Sequence, residues 1–154
     1  MSNRDELYFA YGSNVDRDRI RKRCPSAKAV GIGYIRGYKL IFNMFGILAE
    51  GKNGGIANIV KLAGNVVYGA LYKMDKNELE SLNRLEESMN YRVIRENITI
   101  ETYGEIPATV YIGEGDSENI FKPTKQYKKF IENGMEQHNF PENYQREVHN
   151  LLNL

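Results

Sequence analysis

The 154-residue chain has no tryptophan and only one cysteine, Cys24. A lone cysteine excludes an intrachain disulfide and is typical of a reducing compartment, so we expect a cytoplasmic location. The sequence also lacks any apolar run that approaches the roughly 20 residues of a membrane span. The polar start, from Met1 to Glu6, shows no secretory signal. We therefore expect no membrane partner.

Neither sign of charge dominates, because 21 basic residues stand against 20 acidic ones, for a net charge of +1. Phosphate binding needs a concentrated basic surface, so we expect no nucleic-acid partner. The basic residues between Arg17 and Lys28 have acidic neighbours at Asp16 and Asp18, which is typical of a solvated helix face. The length and a hydrophobic content of 42% predict one domain over residues 1–154.

Tyrosine, in contrast, is abundant, with eleven residues in the chain. A buried tyrosine combines an apolar ring with a hydroxyl group that needs a hydrogen-bond partner. Some of these residues could line a polar cavity, although half-buried positions in a sheet account for most of them.

The hydrophobic pattern predicts six or seven strands, mostly antiparallel, with four helices between them, and hence an α+β fold. Such a sheet can curl to hide its edges, which gives a small mixed β-barrel with surrounding helices. Asp75 and Glu78 have the spacing of a capping box. The expected strands cover 7–11, 28–33, 37–43, 56–62, 66–74, 91–102 and 105–112, with a glycine-rich loop at 46–55. The expected helices cover 16–24, 75–87, 124–137 and 141–152.

The segment Tyr8 to Asn14 is the most informative stretch of the sequence. A short aromatic strand breaks at Gly12 into two small polar residues, and a charged helical pattern follows at once. A strand, a tight turn and a helix start in this order direct several backbone N–H groups into one concavity, which suits an anion. An ordinary strand-to-helix turn is the alternative.

Several other candidate motifs fail to match the sites they resemble. The segment 46–53 nearly matches a phosphate-binding loop, but Asn53 stands where the motif needs a hydroxyl group, and a strand pattern follows. His138 and His149 lie on different predicted helices with no cysteine nearby, so we expect two surface histidines and no metal site. Cys24 is expected to be a buried structural thiol. We therefore predict no cofactor.

Glu86 lies on the apolar side of a predicted helix. Leu79, Leu82 and Leu85 define the expected core face, and Glu86 follows the first by seven residues and the second by four. Burial of a carboxylate is costly and raises its pKa, which suits a general acid or base near neutral pH. Two alternatives stay open: the side chain could turn to solvent, or it could form a structural ion pair with Arg84, Arg92 or Arg95.

Four segments resemble one known family, the γ-glutamylcyclotransferases. They are YFAYGSN (8–14), VYGALYKM (67–74), LNRLE (82–86) and PTKQY (123–127), and the similarity runs in order over about 8–148. The resemblance implies a small mixed β-barrel with surrounding helices and an enzyme that forms 5-oxoproline from a γ-glutamyl compound, as in glutathione metabolism. It implies no cofactor and leaves a homodimer open.

The resemblance also implies a role for individual residues. Glu86 would be the catalytic acid/base, and the loop around Gly12 would hold the α-carboxylate of the substrate. The substrate-binding residues implied in this way are Tyr8, Phe9, Ala10, Tyr11, Gly12, Ser13, Asn14, Tyr91, Tyr111 and Tyr127.

One departure from the family pattern concerns the residue after the implied catalytic glutamate. The family usually has glycine there, whereas this chain has Glu87, and the stretch from Glu86 to Tyr91 is short. Both differences border the expected mouth of the pocket, so they bear on which amine leaves. Two further hypotheses follow: the enzyme could remove a γ-glutamyl protecting group from a biosynthetic intermediate, or the cavity could bind a small ligand without catalysis.

Overall fold

The computed structural model describes residues 5–47, 53–101 and 103–154. Five strands in these ranges form a closed barrel, accompanied by four α-helices and one short 3-10 helix. The strands are β1 (Asp5–Ala10), β2 (Lys28–Ile47), β3 (Asn53–Asp75), β4 (Tyr91–Ile100) and β5 (Gly104–Gly113). The helices are α1 (Arg17–Arg23), α2 (Lys76–Ser88), α3 (Lys125–Gln137) and α4 (Glu142–Leu152), and the 3-10 helix is Ser13–Val15.

The order of strands around the barrel is β1-β3-β2-β4-β5. A parallel contact between Tyr8 of β1 and Thr109 of β5 closes it, and every other pair of neighbours is antiparallel. The predicted α+β fold, a small mixed and mostly antiparallel barrel, is therefore confirmed. Within the described ranges, no helix is long and apolar enough to span a membrane.

The number of strands is lower than the pattern predicts, because two predicted breaks are irregularities inside long strands. Segments 28–33 and 37–43 both belong to β2, and segments 56–62 and 66–74 both belong to β3. The pairing shifts between Arg36 and Tyr38. Gly37 and Gly64 have φ angles of 78° and 88°, which glycine adopts easily, so the chain bulges here without ending the strand.

The predicted glycine-rich loop at 46–55 is also shorter than expected. Gly54 and Gly55 belong to β3 and pair with Gly46 and Phe45 of β2, while residues 48–52 lie outside the described residues. On its other side, Gly55 donates its N–H to the carbonyl oxygen of Lys122 at 2.8 Å. Thr102, at the predicted end of a strand, also lies outside the described residues.

The helices begin where the capping residues predict. The side chain of Asp16 accepts hydrogen bonds from the N–H groups that open α1, and Thr124 does the same for α3. Asp75 accepts from Asn77 N–H at 2.8 Å, but the second half of the predicted capping box is wrong. Glu78 does not bond Asp75, because its carboxylate accepts instead from the Ser26 N–H and hydroxyl groups.

Candidate active site

The segment after β1 turns sharply into the 3-10 helix. Val15 N–H donates to the carbonyl oxygen of Gly12 at 3.1 Å, and Asp16 N–H donates to that of Ser13 at 3.2 Å. Because these are the first bonds of the turn, the N–H groups of Gly12, Ser13 and Asn14 have no backbone acceptor among the residues described. Such a group of N–H donors can bind an anion.

A side chain at Gly12 would be crowded at this turn. Its φ angle is −109°, which other residues also adopt. A Cβ atom added there would lie 3.0 Å from the Cβ of Ala57 and 3.3 Å from the hydroxyl oxygen of Tyr127. The glycine therefore lets β1, β3 and α3 approach one another closely at the start of the turn.

Glu86 lies on the buried side of α2. Its residue exposure is 7%, and it shares that face with Leu79 and Leu82, each 2% exposed. The prediction that Leu85 belongs to the core face is wrong, since Leu85 is 41% exposed. At 100° per residue, Leu85 lies about 120° away from Leu79, whereas Glu86 lies within about 20° of it.

The electrostatics of Glu86 follow from this burial. Loss of water around the carboxyl group raises its pKa from 4.5 to about 7, although the positive charges of Arg23 and Arg19 act in the opposite direction. A group with this pKa is about half ionised at neutral pH. It can therefore both accept and return a proton under physiological conditions.

The two alternatives for Glu86, a side chain turned to solvent and a structural ion pair with an arginine, are both excluded. Arg92 pairs with Glu114 at 2.7 Å, and Arg95 pairs with Glu6 at 3.8 Å. Arg84 donates to the hydroxyl oxygen of Ser81 at 3.2 Å. Within the described ranges the Glu86 carboxyl group has no ion pair and no hydrogen bond of its own. It is a buried acid whose side chain faces a cleft.

This cleft lies between the first turn, the barrel and helices α1, α2 and α3. Nine residues that the sequence singled out line it, and so do six others. The nine are Tyr8, Tyr11, Gly12, Ser13, Asn14, Glu86, Tyr91, Tyr111 and Tyr127. The six are Arg19, Arg23, Gly46, Ile56, Ala57 and Met89. Phe9 and Ala10 differ from the expectation, because both are fully buried in the core and do not line the cleft.

Two cleft tyrosines hold the backbone of Ala57. Tyr91 donates its hydroxyl proton to the Ala57 carbonyl oxygen at 2.5 Å, and Ala57 N–H donates to the Tyr127 hydroxyl oxygen at 2.9 Å. The rings of Tyr8 and Tyr111 lie 5.3 Å apart between their centroids. Hydrogen bonds and ring packing therefore fix these side chains in place before any ligand is bound.

The histidines and the cysteine lie apart from this cleft. His149 is exposed beside Glu132, as a surface histidine should be, but His138 is buried, contrary to the prediction. Its Nε2 lies 2.9 Å from the carbonyl oxygen of Val15, and burial lowers its pKa. Cys24 is buried and unpaired. Over the described part of the chain, no cluster of three or more His, Cys, Asp or Glu could hold a metal ion.

Known proteins are similar to this chain in sequence and fold. The model of the AIG2-like family matches residues 66–148. The γ-glutamylcyclotransferase of Bos taurus is 33% identical over 146 residues, which cover 94% of this chain and 78% of the relative. The chain belongs to the γ-glutamylcyclotransferase family. The human protein of the same name is 35% identical over 145 residues, covering 92% of this chain and 76% of that protein.

The similarity extends to a solved γ-glutamyl cyclotransferase structure. It superposes with a TM-score of 0.84 at 31% identity, covering 94% of this chain and 86% of the other. The chain is therefore an enzyme of the γ-glutamylcyclotransferase type, and the cleft described above is its candidate active site.

Two basic residues of this γ-glutamylcyclotransferase cleft were not singled out by the sequence. Arg19 donates its Nε–H to the Ser13 hydroxyl oxygen at 3.1 Å, and Arg23 donates to the Asn14 side-chain oxygen at 3.4 Å. Their spacing of four residues places both on one face of α1. This four-residue spacing is the sequence signal for a basic face on α1, and the acidic residues of the same segment obscure it.

Proposed function

We propose that the chain converts a γ-glutamyl amino acid or a γ-glutamyl amine into 5-oxoproline and the free amine, with Glu86 as the general acid/base. The observation that supports this best is the buried carboxyl group of Glu86, which faces the cleft and has a pKa of about 7. A carboxyl group without protein partners within the described residues is available to a substrate proton.

The first turn supports a second part of the proposal, the binding of the γ-glutamyl group. The α-carboxylate of that group would accept hydrogen bonds from the N–H groups of Gly12, Ser13 and Asn14. Arg19 and Arg23 add positive charge on the same side of the cleft. A carboxylate placed here would hold the rest of the substrate near Glu86.

The reaction then needs one residue that moves protons from the attacking nitrogen to the leaving nitrogen. The ionised Glu86 takes a proton from the α-ammonium group of the substrate, and the freed nitrogen attacks the γ-carbonyl carbon. A five-membered ring closes and the carbonyl oxygen becomes an oxyanion. As the oxyanion collapses, the bond to the leaving nitrogen breaks, and protonated Glu86 gives that nitrogen a proton. The ring nitrogen still carries a surplus proton, which the re-ionised Glu86 takes and passes to the departing amine, so the products are the neutral lactam and an ammonium ion.

Ring closure within one molecule explains why so few groups are needed. The attacking amine belongs to the substrate, so the enzyme needs to hold only one conformer in which nitrogen and carbonyl carbon are close. Well-oriented intramolecular reactions reach effective concentrations of about 10⁵ M or more. The tyrosines that line the cleft, Tyr91, Tyr111 and Tyr127 among them, would supply the shape that selects this conformer.

The first experiment is a substrate panel. Purified protein is incubated with γ-glutamyl dipeptides and γ-glutamylamines, and 5-oxoproline release is measured by chromatography. Release from a dipeptide or an amine supports the proposal and identifies the leaving group. Tight binding measured by calorimetry, with no 5-oxoproline formed over hours, would instead indicate a binding module. Turnover of a larger γ-glutamyl intermediate alone would favour removal of a protecting group.

The second experiment compares two adjacent glutamates of α2. Glu86→Gln should reduce kcat at least about 1000-fold, because the amide cannot accept the substrate proton. Glu87→Gln is the matched control, since Glu87 is exposed and does not line the cleft. Normal turnover by Glu86→Gln together with loss of turnover in Glu87→Gln would move the catalytic role to the neighbouring residue.

A further inference from the structure

The five tyrosines of the cleft differ in what they do with their single hydroxyl proton. Tyr11 donates to the carbonyl oxygen of Tyr111 at 2.6 Å. Tyr111 donates to the side-chain oxygen of Asn83 at 2.6 Å, and Tyr91 donates to the carbonyl oxygen of Ala57. These three protons are bound to protein acceptors, so these hydroxyl groups have nothing left to donate to a substrate.

The remaining two tyrosines accept hydrogen bonds instead. The Tyr127 hydroxyl oxygen accepts from Ala57 N–H at 2.9 Å. The Tyr8 hydroxyl oxygen accepts from the side-chain amide of Asn14 at 3.1 Å. No acceptor for the Tyr8 proton lies among the residues that the structure describes. Tyr8 and Tyr127 thus both retain a proton for a ligand, and Tyr8 is the one that hydrogen bonds link through Asn14 to the guanidinium group of Arg23.

A chain of hydrogen bonds strengthens this donor. The guanidinium group of Arg23 donates to the Asn14 side-chain oxygen, and the Asn14 amide donates to the Tyr8 hydroxyl oxygen. Each donor in such a chain polarises the next, so the positive charge of Arg23 makes the Tyr8 O–H group a better donor. Burial and the nearby charge of Glu86 raise the pKa of Tyr8, which keeps the proton in place.

The proposed cyclisation creates a negative charge that needs such a donor. When the α-amine attacks, the γ-carbonyl oxygen becomes an oxyanion within the cleft that Tyr8 and Glu86 both line. We propose that Tyr8 is a second catalytic residue, whose hydroxyl group donates a hydrogen bond to the γ-carbonyl oxygen as the ring closes. This inference rests on the proposed function and adds to it the group that stabilises the transition state.

The test is Tyr8→Phe, which removes the hydroxyl group and keeps the ring that packs against Tyr111. Loss of one oxyanion donor is expected to lower kcat about 100- to 1000-fold. KM for the best γ-glutamyl substrate should change less than about three-fold, because the oxyanion exists only in the transition state. The loss of kcat in Tyr111→Phe should be at least ten-fold smaller than the loss in Tyr8→Phe. Tyr144→Phe, a buried tyrosine of α4 outside the cleft, should leave kcat and KM unchanged.

A second variant, at the exposed end of this hydrogen-bond chain, tests the same inference. Arg23→Gln should lower the kcat plateau measured at high pH about two- to five-fold in the wild-type background, and not at all in the Tyr8→Phe background. A Tyr8→Phe enzyme within about five-fold of wild-type kcat would overturn the inference. If Tyr8→Phe does not fold, an unchanged kcat plateau in Arg23→Gln overturns it. Absence of 5-oxoproline release by the wild-type enzyme would overturn the proposed function itself.

Discussion

Asn58 in the barrel and Glu86 on α2 are both buried polar residues, but their surroundings are opposite. The Asn58 side chain is fully buried and makes three hydrogen bonds, to Asn43 at 2.9 Å and to the backbone of Gly113 at 2.7 and 3.2 Å. Glu86 is nearly as buried and has none within the described residues. In this molecule, satisfied polar groups link strands, whereas the unsatisfied carboxyl group faces the cleft.

The difference separates stability from catalysis. Asn58 joins β2, β3 and β5 through hydrogen bonds of its side-chain amide group, which does not titrate, so it strengthens the barrel at every pH. Glu86 makes the folded state less stable whenever it is ionised, because its charge has lost water without gaining a partner. The proposed catalytic carboxyl group therefore weakens the fold, while the Asn58 amide cluster stabilises it.

Removal of the amide should have the largest effect on stability. Asn58→Ala leaves the Gly113 N–H and the Asn43 side-chain oxygen without partners, so we expect the free energy of unfolding to fall by about 2–4 kcal/mol. Urea denaturation measures this change. The control, Asn97→Ala, alters an exposed asparagine of β4 and should stay within about 0.5 kcal/mol of wild type. Equal losses of stability in Asn58→Ala and Asn97→Ala would show that the hydrogen bonds of Asn58 do not stabilise the barrel.

Removal of the Glu86 charge should act in the opposite direction and depend on pH. The pKa of Glu86 is raised from 4.5 to about 7 in the folded state, so its stabilising contribution is complete below about pH 4.5 and lost as pH rises through 7. By pH 8 that loss approaches about 3 kcal/mol. Denaturation of wild type and Glu86→Gln across pH 4.5–8 should show curves that diverge by this amount. Parallel curves would contradict the assigned pKa.

The same titration should appear in the rate. If Glu86 is the base, kcat/KM should fall about ten-fold for each pH unit below 7 and level off above about pH 8. Because Arg23 lowers the pKa of Glu86, Arg23→Gln should move the midpoint of this profile to higher pH. Lys22→Gln, which removes a neighbouring charge of α1 that does not line the cleft, should leave the midpoint in place. A midpoint near 4.5 would assign the base elsewhere.

The smallest effect is expected at the surface. Arg92 and Glu114 form an ion pair at 2.7 Å, but their side chains are 60% and 57% exposed. Arg92→Ala should therefore cost less than about 1 kcal/mol, and less still at high salt. A shift in the pH–rate midpoint of this variant would show that Arg92 acts on Glu86 after all.

Local sequence patterns predict part of the candidate site. The spacing of Leu79, Leu82 and Glu86 predicted a buried acid, and the Gly12 turn predicted a group of backbone N–H donors. Both features depend on residues close in the sequence. Leu85 departs from the prediction because its residue type favours the apolar face, whereas its angle on the helix places it near the boundary of that face.

Features that depend on distant residues could not be predicted in this way. Glu78 bonds Ser26, 52 residues away, and only the closed barrel brings the two together. His138 is buried because the end of α3 packs against the turn at Val15, which no spacing along the chain indicates. The resemblance implies a binding role for Phe9 together with its neighbours, but Phe9 packs against Gly69 inside the barrel.

The edge of β3 at Gly55 and Ala57 has a consequence for assembly. An uncovered strand edge invites another chain to add a strand, but here Lys122 takes the N–H of Gly55, and Tyr127 and Tyr91 take both peptide groups of Ala57. The residues that shape the cleft thus also block intermolecular strand addition at this edge. A homodimer that leaves the cleft intact therefore cannot form by strand addition at this edge.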